Sequence, residues 1–186
     1  MNPIEELKTE HRAVEAALAI LSEVAVEIEK TDSRAAVADA ERLIDFFKTF
    51  VDACHHGKEE DFLFPALRRI GVSGDNGPIG VMLNEHDSGR KHIKEMKDAL
   101  IGARTGNRDS VKVFKRNAVD YIDLLRRHIE KEDHVLFKIA EERLSTDCQA
   151  ELSESFEWLE KEKIGPGRHE AFHEMLEELQ EKYARG

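Results

Sequence analysis

The chain has little of what marks a secreted or membrane-spanning protein. Its 186 residues include two cysteines, Cys54 and Cys148, which are too few and too far apart for a disulfide framework. No apolar run approaches the roughly 20 residues that cross a bilayer, and the N-terminus has no signal-peptide pattern. We therefore expect a cytoplasmic protein.

Positively charged residues are also fewer than negatively charged ones. Lysine and arginine together number 28 against 39 aspartates and glutamates, which gives a formal net charge of −11. A surface of this sign repels phosphate backbones and anionic lipids, so we expect neither nucleic acid nor a membrane as a partner. Cationic metals remain compatible with it.

The residues that interrupt helices are scarce, with 4 prolines and 11 glycines, whereas charged residues make up 36% of the chain. This composition is typical of long soluble helices. Apolar residues recur every three or four positions, which predicts helices over about 3–30, up to about 70, over about 79–103 and after 109. Because short, turn-rich loops join them, we expect an all-α, up-down-up-down four-helix bundle.

The bundle is expected to form one domain over residues 1–143. Residues 144–186 are expected to form a C-terminal helical extension that packs on the bundle. The sequence predicts two helices in this extension, separated by a break at Gly165-Pro166-Gly167, with the last helix over 168–183.

One motif occurs twice in the bundle. It reads His-x-x-Lys-Glu-(Glu/Asp)-x-x-Leu-Phe, first over 55–64 and again, 73 positions later, over 128–137. A Glu-His pair precedes each copy, as Glu10-His11 and as Glu85-His86. The repetition indicates two related halves that contribute the same kinds of side chain to one place.

The repeated residues have metal-ligand chemistry. His11, His55, His86 and His128 fall on the apolar faces of four different predicted helices, and Glu59 and Glu132 follow a histidine by four residues. At about 100° per residue, each glutamate lies about 40° round the helix from its histidine and shares its face. An unpaired carboxylate is costly to bury, so these residues predict a site for a pair of transition-metal ions, with iron the leading candidate.

The polar neighbours of these residues are expected to point elsewhere. Glu60 and Asp133 lie about 140° round from the motif histidines and are expected to be solvated. His56, next to His55, is interpreted as a decoy, and Lys58 and Lys131 are expected to face water.

Together these motifs resemble the hemerythrin-like (HHE cation-binding) domain over residues from about 1 to 140. That family has a His on its first and third helices, His-x-x-x-Glu on its second, and His-x-x-x-Glu or His-x-x-x-x-Asp on its fourth. The resemblance assigns the metal-ligand role to His11, His55, Glu59, His86, His128 and Glu132, with Asp133 as the alternative to Glu132.

The resemblance implies a non-haem di-iron centre with two iron ions bridged by carboxylate, to which an oxo or hydroxo bridge could be added. Such a centre binds dioxygen, nitric oxide or peroxide, with or without catalytic turnover. The alternative is an iron-handling protein that stores, senses or donates the metal.

The chain departs from the hemerythrin pattern at one position. Hemerythrins place a second His one turn after the third-helix His, and Arg90 stands there, which cannot serve as an ordinary ligand. His169 and His173, on one face of the last predicted helix, are therefore candidates to complete the metal site. The alternative is two surface or half-buried histidines on an amphipathic helix. A His-Glu-x-x-His zinc motif is disfavoured, because it needs a third ligand, commonly downstream.

Two further interpretations concern the same bundle. Ferritin-like di-iron oxidases use Glu-x-x-His with the glutamate first, and the His-first order at His55 and His128 disfavours that class. Tyr121, seven residues before His128 on the same face, is expected to be a core aromatic residue. A role as proton or electron donor to the centre is the alternative.

Overall fold

Helices account for the regular structure of a computed structural model that describes residues 2–31, 33–74, 76–165 and 167–184. In chain order they are α1 (Pro3–Thr31), α2 (34–69), α3 (Pro78–Ala103), α4 (108–143), α5 (Thr146–Lys163) and α6 (Arg168–Tyr183). The first four form the bundle, which confirms the expected all-α class and the expected helix positions to within a residue or two. None of the helices in the described ranges is long and apolar enough to cross a membrane.

Helices α2 and α4 each change their winding at the repeated motif. In α2, the α-helical Arg34–Phe46 continues as π-helical Phe47–His56 and Glu59–Leu63 before Phe64–Arg69 returns to α-helix. In α4, Arg108–Lys131 is followed by π-helical Glu132–Leu136 and then by Phe137–Arg143. The apolar period did not predict these wider turns, which occur mostly at functional sites.

Side-chain caps and glycines set the ends of the helices. Ser33 accepts a hydrogen bond from the Ala36 amide at the start of α2, and Asn107 accepts from the Asp109 and Ser110 amides at the start of α4. Gly71, just after α2, has a φ of 88°, a conformation that favours glycine. At the predicted break before α6, Gly165 and Gly167 are described, and Pro166 lies outside the described residues.

A buried polar layer divides the apolar core of the bundle into two clusters. Along α1, Ile4 and Leu7 belong to one cluster and Val14 to Ile28 to the other, and His11 lies between them. The other three bundle helices show the same order, apolar, polar and apolar again, at the level of His55, His86 and His128. The fold therefore brings the repeated polar residues of all four helices to one depth.

The last two helices pack against α1 and α2. The Phe172 ring of α6 meets the Phe46 ring edge-on at 5.4 Å between centroids. Further along the same helix, the Tyr183 hydroxyl donates to Asp39 at 2.7 Å. In α5, Leu159 belongs to the larger apolar cluster, so the extension covers one side of the bundle.

Candidate metal centre

Six predicted residues converge in the polar layer. His11 comes from α1, His55 and Glu59 from α2, His86 from α3, and His128 and Glu132 from α4, and none is more than 2% exposed. The Nε2 atoms face each other in pairs, His11 with His55 and His86 with His128, at 3.1 Å in both cases. The structure thus brings together every ligand predicted in the bundle.

The side chains form two groups that share a carboxylate. One group contains His11, His55, Glu59 and Glu132, and the other contains His56, Glu59, His86 and His128. Within each group, the candidate ligand atoms all lie within 4.8 Å of one another. This spacing is compatible with one cation in each group.

Both glutamates span the gap between the histidine pairs. The Oε1 atom of Glu59 lies 3.8 Å from Nε2 of His55, and its Oε2 atom lies 3.5 Å from Nε2 of His86. The two oxygens of Glu132 lie 3.2 Å from Nε2 of His11 and of His128. Each carboxylate therefore offers one oxygen to each side, as a bridging ligand would.

The glutamate oxygens are also unsatisfied. All four are buried, and none accepts a hydrogen bond from the part of the chain that the structure describes. A buried carboxylate without a partner is costly, and a cation between the histidine pairs would satisfy these oxygens. The residues present therefore fit a pair of metal ions.

An outer set of carboxylates orients the histidines. Each of the four rings donates a hydrogen bond from Nδ1 to a different carboxylate, namely His11 to Asp133 (2.8 Å), His55 to Glu10 (2.7 Å), His86 to Glu60 (2.6 Å) and His128 to Glu85 (3.0 Å). Such partners fix the ring orientation and leave Nε2 free for a metal. They also give a role to the Glu-His pairs and to the second acidic residue of each motif, which was expected to be solvated.

Opposite charges accumulate in the metal-free centre. Burial acts against a charged imidazole, but the hydrogen bond to Asp133 raises the pKa of His11 to about 9, and the charge of Glu132 raises that of His128 to about 10. Burial also opposes the charge on Glu132, yet the charge of His128 holds the pKa of that carboxyl well below its usual range. Protons therefore occupy the positions where a metal would bind.

The sequence of the bundle matches one family model. The hemerythrin HHE cation binding domain matches residues 2–140. The chain belongs to this family. The comparison with curated proteins returned no match. The matched range contains every residue of the two candidate ligand groups.

In this HHE domain, the Leu-Phe end of each motif covers a histidine of the other half. The Phe64 ring lies nearly parallel to the His86 ring, with 6.0 Å between centroids, and the Phe137 ring stacks on His11 at 5.2 Å. Both phenylalanines are at most 1% exposed. They close the centre towards the smaller apolar cluster, so the repeated motif supplies both ligands and shielding.

The structure overturns the interpretation of His56 as a decoy. Its ring is 3% exposed and lies parallel to the His86 ring at 3.7 Å between centroids, within the second ligand group. Burial lowers the pKa of His56 well below its ordinary value, so the imidazole is neutral, the form that binds metals. The fifth imidazole missing at Arg90 is thus available from α2. One signal in the sequence could have indicated it, because His56 precedes Glu59 by three residues and such pairs share a helix face.

The tail histidines do not reach the centre. His169 lies instead beside Glu10 and Glu160, and its ring packs against Phe50 at 4.9 Å between centroids. His173 is exposed. The turn before α6 lays the helix along α1 and α2 above the larger apolar cluster, so neither imidazole belongs to the two ligand groups of the HHE domain.

Lys58 does not face water as expected. It is fully buried, and its ammonium donates to Glu6 (2.7 Å), Glu10 (2.5 Å) and Glu160 (2.6 Å). Lys131, at the same position of the second motif, pairs with Glu85 and keeps 40% of its side chain exposed. Each lysine therefore holds the carboxylate that orients a motif histidine, but only Lys58 is covered by the extension.

Proposed function

We propose that this HHE domain holds two iron ions and binds dioxygen, nitric oxide or peroxide at them. The observation that carries the proposal is the pair of buried carboxylates, Glu59 and Glu132, whose oxygens face both histidine pairs and accept no hydrogen bond from the described residues. Imidazole and carboxylate donors in this ratio suit iron. A bound iron pair would supply the redox-active, ligand-binding chemistry.

The two positions would receive different ligand sets from the chain. His11 and His55 would hold one ion, and His86, His128 and His56 the other, while Glu59 and Glu132 would serve both. The first position has one imidazole fewer, which leaves more capacity there for a ligand from solution. The stacked Phe137 ring on His11 keeps water away from that side.

The alternative is iron handling, in which the metal is cargo. The outer carboxylates support a resident metal instead, because all four paired histidines are anchored through Nδ1 before any ion binds. Such anchoring typically raises metal affinity by about tenfold to a hundredfold per partner. Higher affinity of this kind favours retention of the metal over its donation.

Elemental analysis of the purified protein tests the metal. We expect two irons per chain, and a single zinc would contradict the proposal.

Stopped-flow absorbance of the reduced, iron-loaded protein then tests the ligand. A stable, reversible spectral change with dioxygen or nitric oxide supports binding, repeated consumption of dioxygen or peroxide shows an enzyme, and iron loss without either supports iron handling.

A further inference from the structure

A cavity of about 410 Å³ lies between α2 and α3, beside the candidate metal centre. His56 forms part of its wall and also belongs to the second ligand group. Dioxygen, nitric oxide and peroxide are much smaller than this space, whereas cavities of a few hundred Å³ hold organic molecules. The small ligands of the proposed function therefore do not account for a cavity of this size.

The inner wall of the cavity is largely apolar. Phe47 and Ile93 line it, and the Phe47 ring packs edge-on against the Tyr121 ring at 5.1 Å between centroids. Gly89 lies next to Tyr121 in the wall, and a Cβ atom at position 89 would lie 3.4 Å from the Tyr121 ring. The absence of a side chain at Gly89 keeps this part of the space open.

Two polar side chains, Tyr121 and His56, belong to the same wall, and Tyr121 is 2% exposed. The Nδ1 atom of His56 is buried and has no hydrogen-bond partner among the described residues. Asp52 lies 3.5 Å away from it but is already bound to the Arg90 guanidinium at 2.7 Å. A buried imidazole nitrogen normally has a partner, so a bound molecule with a polar atom would satisfy it.

The mouth of the cavity is positive although the protein is strongly acidic. Lys48, Lys94 and Lys97 line it together with Asp98, which lies 3.9 Å from Lys94. Lys48 and Lys97 form no ion pair within the described ranges. Two ammonium groups without an ion pair among the described residues, on a chain of net charge −11, favour the binding of an anion at the mouth of the cavity.

We propose that the α2–α3 cavity is a binding site for a small amphiphilic carboxylic acid. Its carboxylate lies between Lys48 and Lys97, and its hydrocarbon chain lies against Phe47 and Ile93. A polar atom on the chain, where the natural ligand has one, accepts a hydrogen bond from Tyr121. This site goes beyond the proposed function, because it is complete without a metal ion.

Calorimetric titration of the metal-free, full-length protein with octanoate, and separately with 1-octanol, tests the site. We expect octanoate to bind with a dissociation constant below about 1 mM, as befits a ligand of this size. The alcohol should bind at least fivefold more weakly, and the difference should shrink in 0.5 M salt because exposed charges are screened. Nuclear Overhauser contacts between octanoate and the side chains of Ile93 and Phe47 should locate it.

Variants separate the two parts of the proposal. Lys48→Met with Lys97→Met should weaken octanoate at least fivefold and leave octanol unchanged. Lys112→Met with Lys138→Met removes the same charge from exposed positions outside the cavity and should change neither. Ile93→Trp should abolish binding of both compounds by filling the space.

Three results would overturn the proposal. They are no binding of octanoate up to about 10 mM, equal affinity for acid and alcohol, and Overhauser contacts to residues outside the cavity. The last measurement uses the unaltered protein, so it decides the location even if Ile93→Trp does not fold. Because no step needs iron, the proposed function can fail while this site stands, and the reverse also holds.

Discussion

At the scale of single residues, His56 is the clearest difference between the two halves of the repeat. The corresponding position in the second motif is Ile129, which is 5% exposed and packs in the larger apolar cluster. One copy of the motif thus offers an imidazole where the other offers an alkyl group. This residue contributes to the difference between the two candidate ligand groups.

Replacing His56 by isoleucine, the residue of the second motif, should remove one imidazole from the second ligand group. We expect affinity for the second iron to fall at least tenfold, as loss of a ligand costs no less than loss of an outer partner. Iron titration of the metal-free protein, followed by absorbance, measures this. His134→Ala, at an exposed position of the same bundle, is the matched control and should bind iron normally.

The tail histidines offer the opposite prediction. Because His173 is exposed and His169 lies beside Glu10 and Glu160, His169→Ala and His173→Ala should each retain two irons and the unaltered spectrum. Elemental analysis and absorbance of both variants check this. Loss of one iron in either variant would show that α6 moves to the centre when metal binds.

At the scale of helices, the sequence predicts the features that follow from regular α-helical spacing, such as which residues share a buried face. His11, His55, His86 and His128 could be placed because three-four spacing puts each on the buried face of its helix. The π-helical turns in α2 could not be placed, since the switch to i→i+5 hydrogen bonds depends on packing that spacing does not record. His56 was misjudged for another reason: only its position next to His55 was considered, and its three-residue spacing to Glu59 was not.

The place of His169 and His173 could not be predicted from the sequence for a different reason. The helix of residues 168–183 was predicted at its observed position, but the direction in which it folds back depends on long-range contacts. One such contact lies beside the centre, where Glu160 of α5 accepts a hydrogen bond from Lys58. Lys58 in turn holds the Glu10 carboxylate that orients His55. Helix α5 is therefore connected to the metal centre through two ion pairs.

Lys58→Met tests this connection. The substitution leaves the buried Glu10 without its cation, and breaking a buried ion pair from one side costs about 3 kcal/mol or more. We expect the free energy of unfolding of the metal-free protein to fall by that order in urea denaturation. Lys131→Met removes the partly exposed counterpart and should cost about 1 kcal/mol or less.

A double substitution tests whether Lys58 and Glu160 act as a pair. Lys58→Met combined with Glu160→Gln removes a lysine and one of its three carboxylates, so the double change should cost less than the sum of the single changes. Additive losses in the same denaturation experiment would show that the Lys58 ammonium acts through its other partners, Glu6, Glu10 and the Phe156 ring, whose centre lies 5.5 Å from the ammonium.

At the scale of the whole molecule, each half completes the other, because one histidine of each pair is oriented from the opposite half. The histidine of α1 is oriented by Asp133 of α4, and that of α3 by Glu60 of α2. The stacked phenylalanines, Phe137 on His11 and Phe64 on His86, cross between the same helices. Neither half would have an oriented pair of histidines without the other, so metal binding depends on the assembled bundle.

The charge balance of this assembly predicts how metal binding depends on pH. Folding raises the pKa of His11 to about 9 and that of His128 to about 10, so both hold protons at pH 7 in the metal-free protein. The stabilisation of the metal-free fold from these groups is complete below their unfolded pKa of about 6.5 and is lost as pH rises through 9 to 10. A metal must displace both protons.

Binding of ferrous iron at pH 7, without oxygen, should therefore release about two protons from these imidazoles, and the number should fall towards zero as pH passes 10. Calorimetry in buffers of different ionisation enthalpy counts them. Apparent affinity should rise with pH over the same range, because fewer protons compete for the nitrogens. Release of no protons at pH 7 would contradict this prediction, because it would mean that His11 and His128 are already neutral in the metal-free centre.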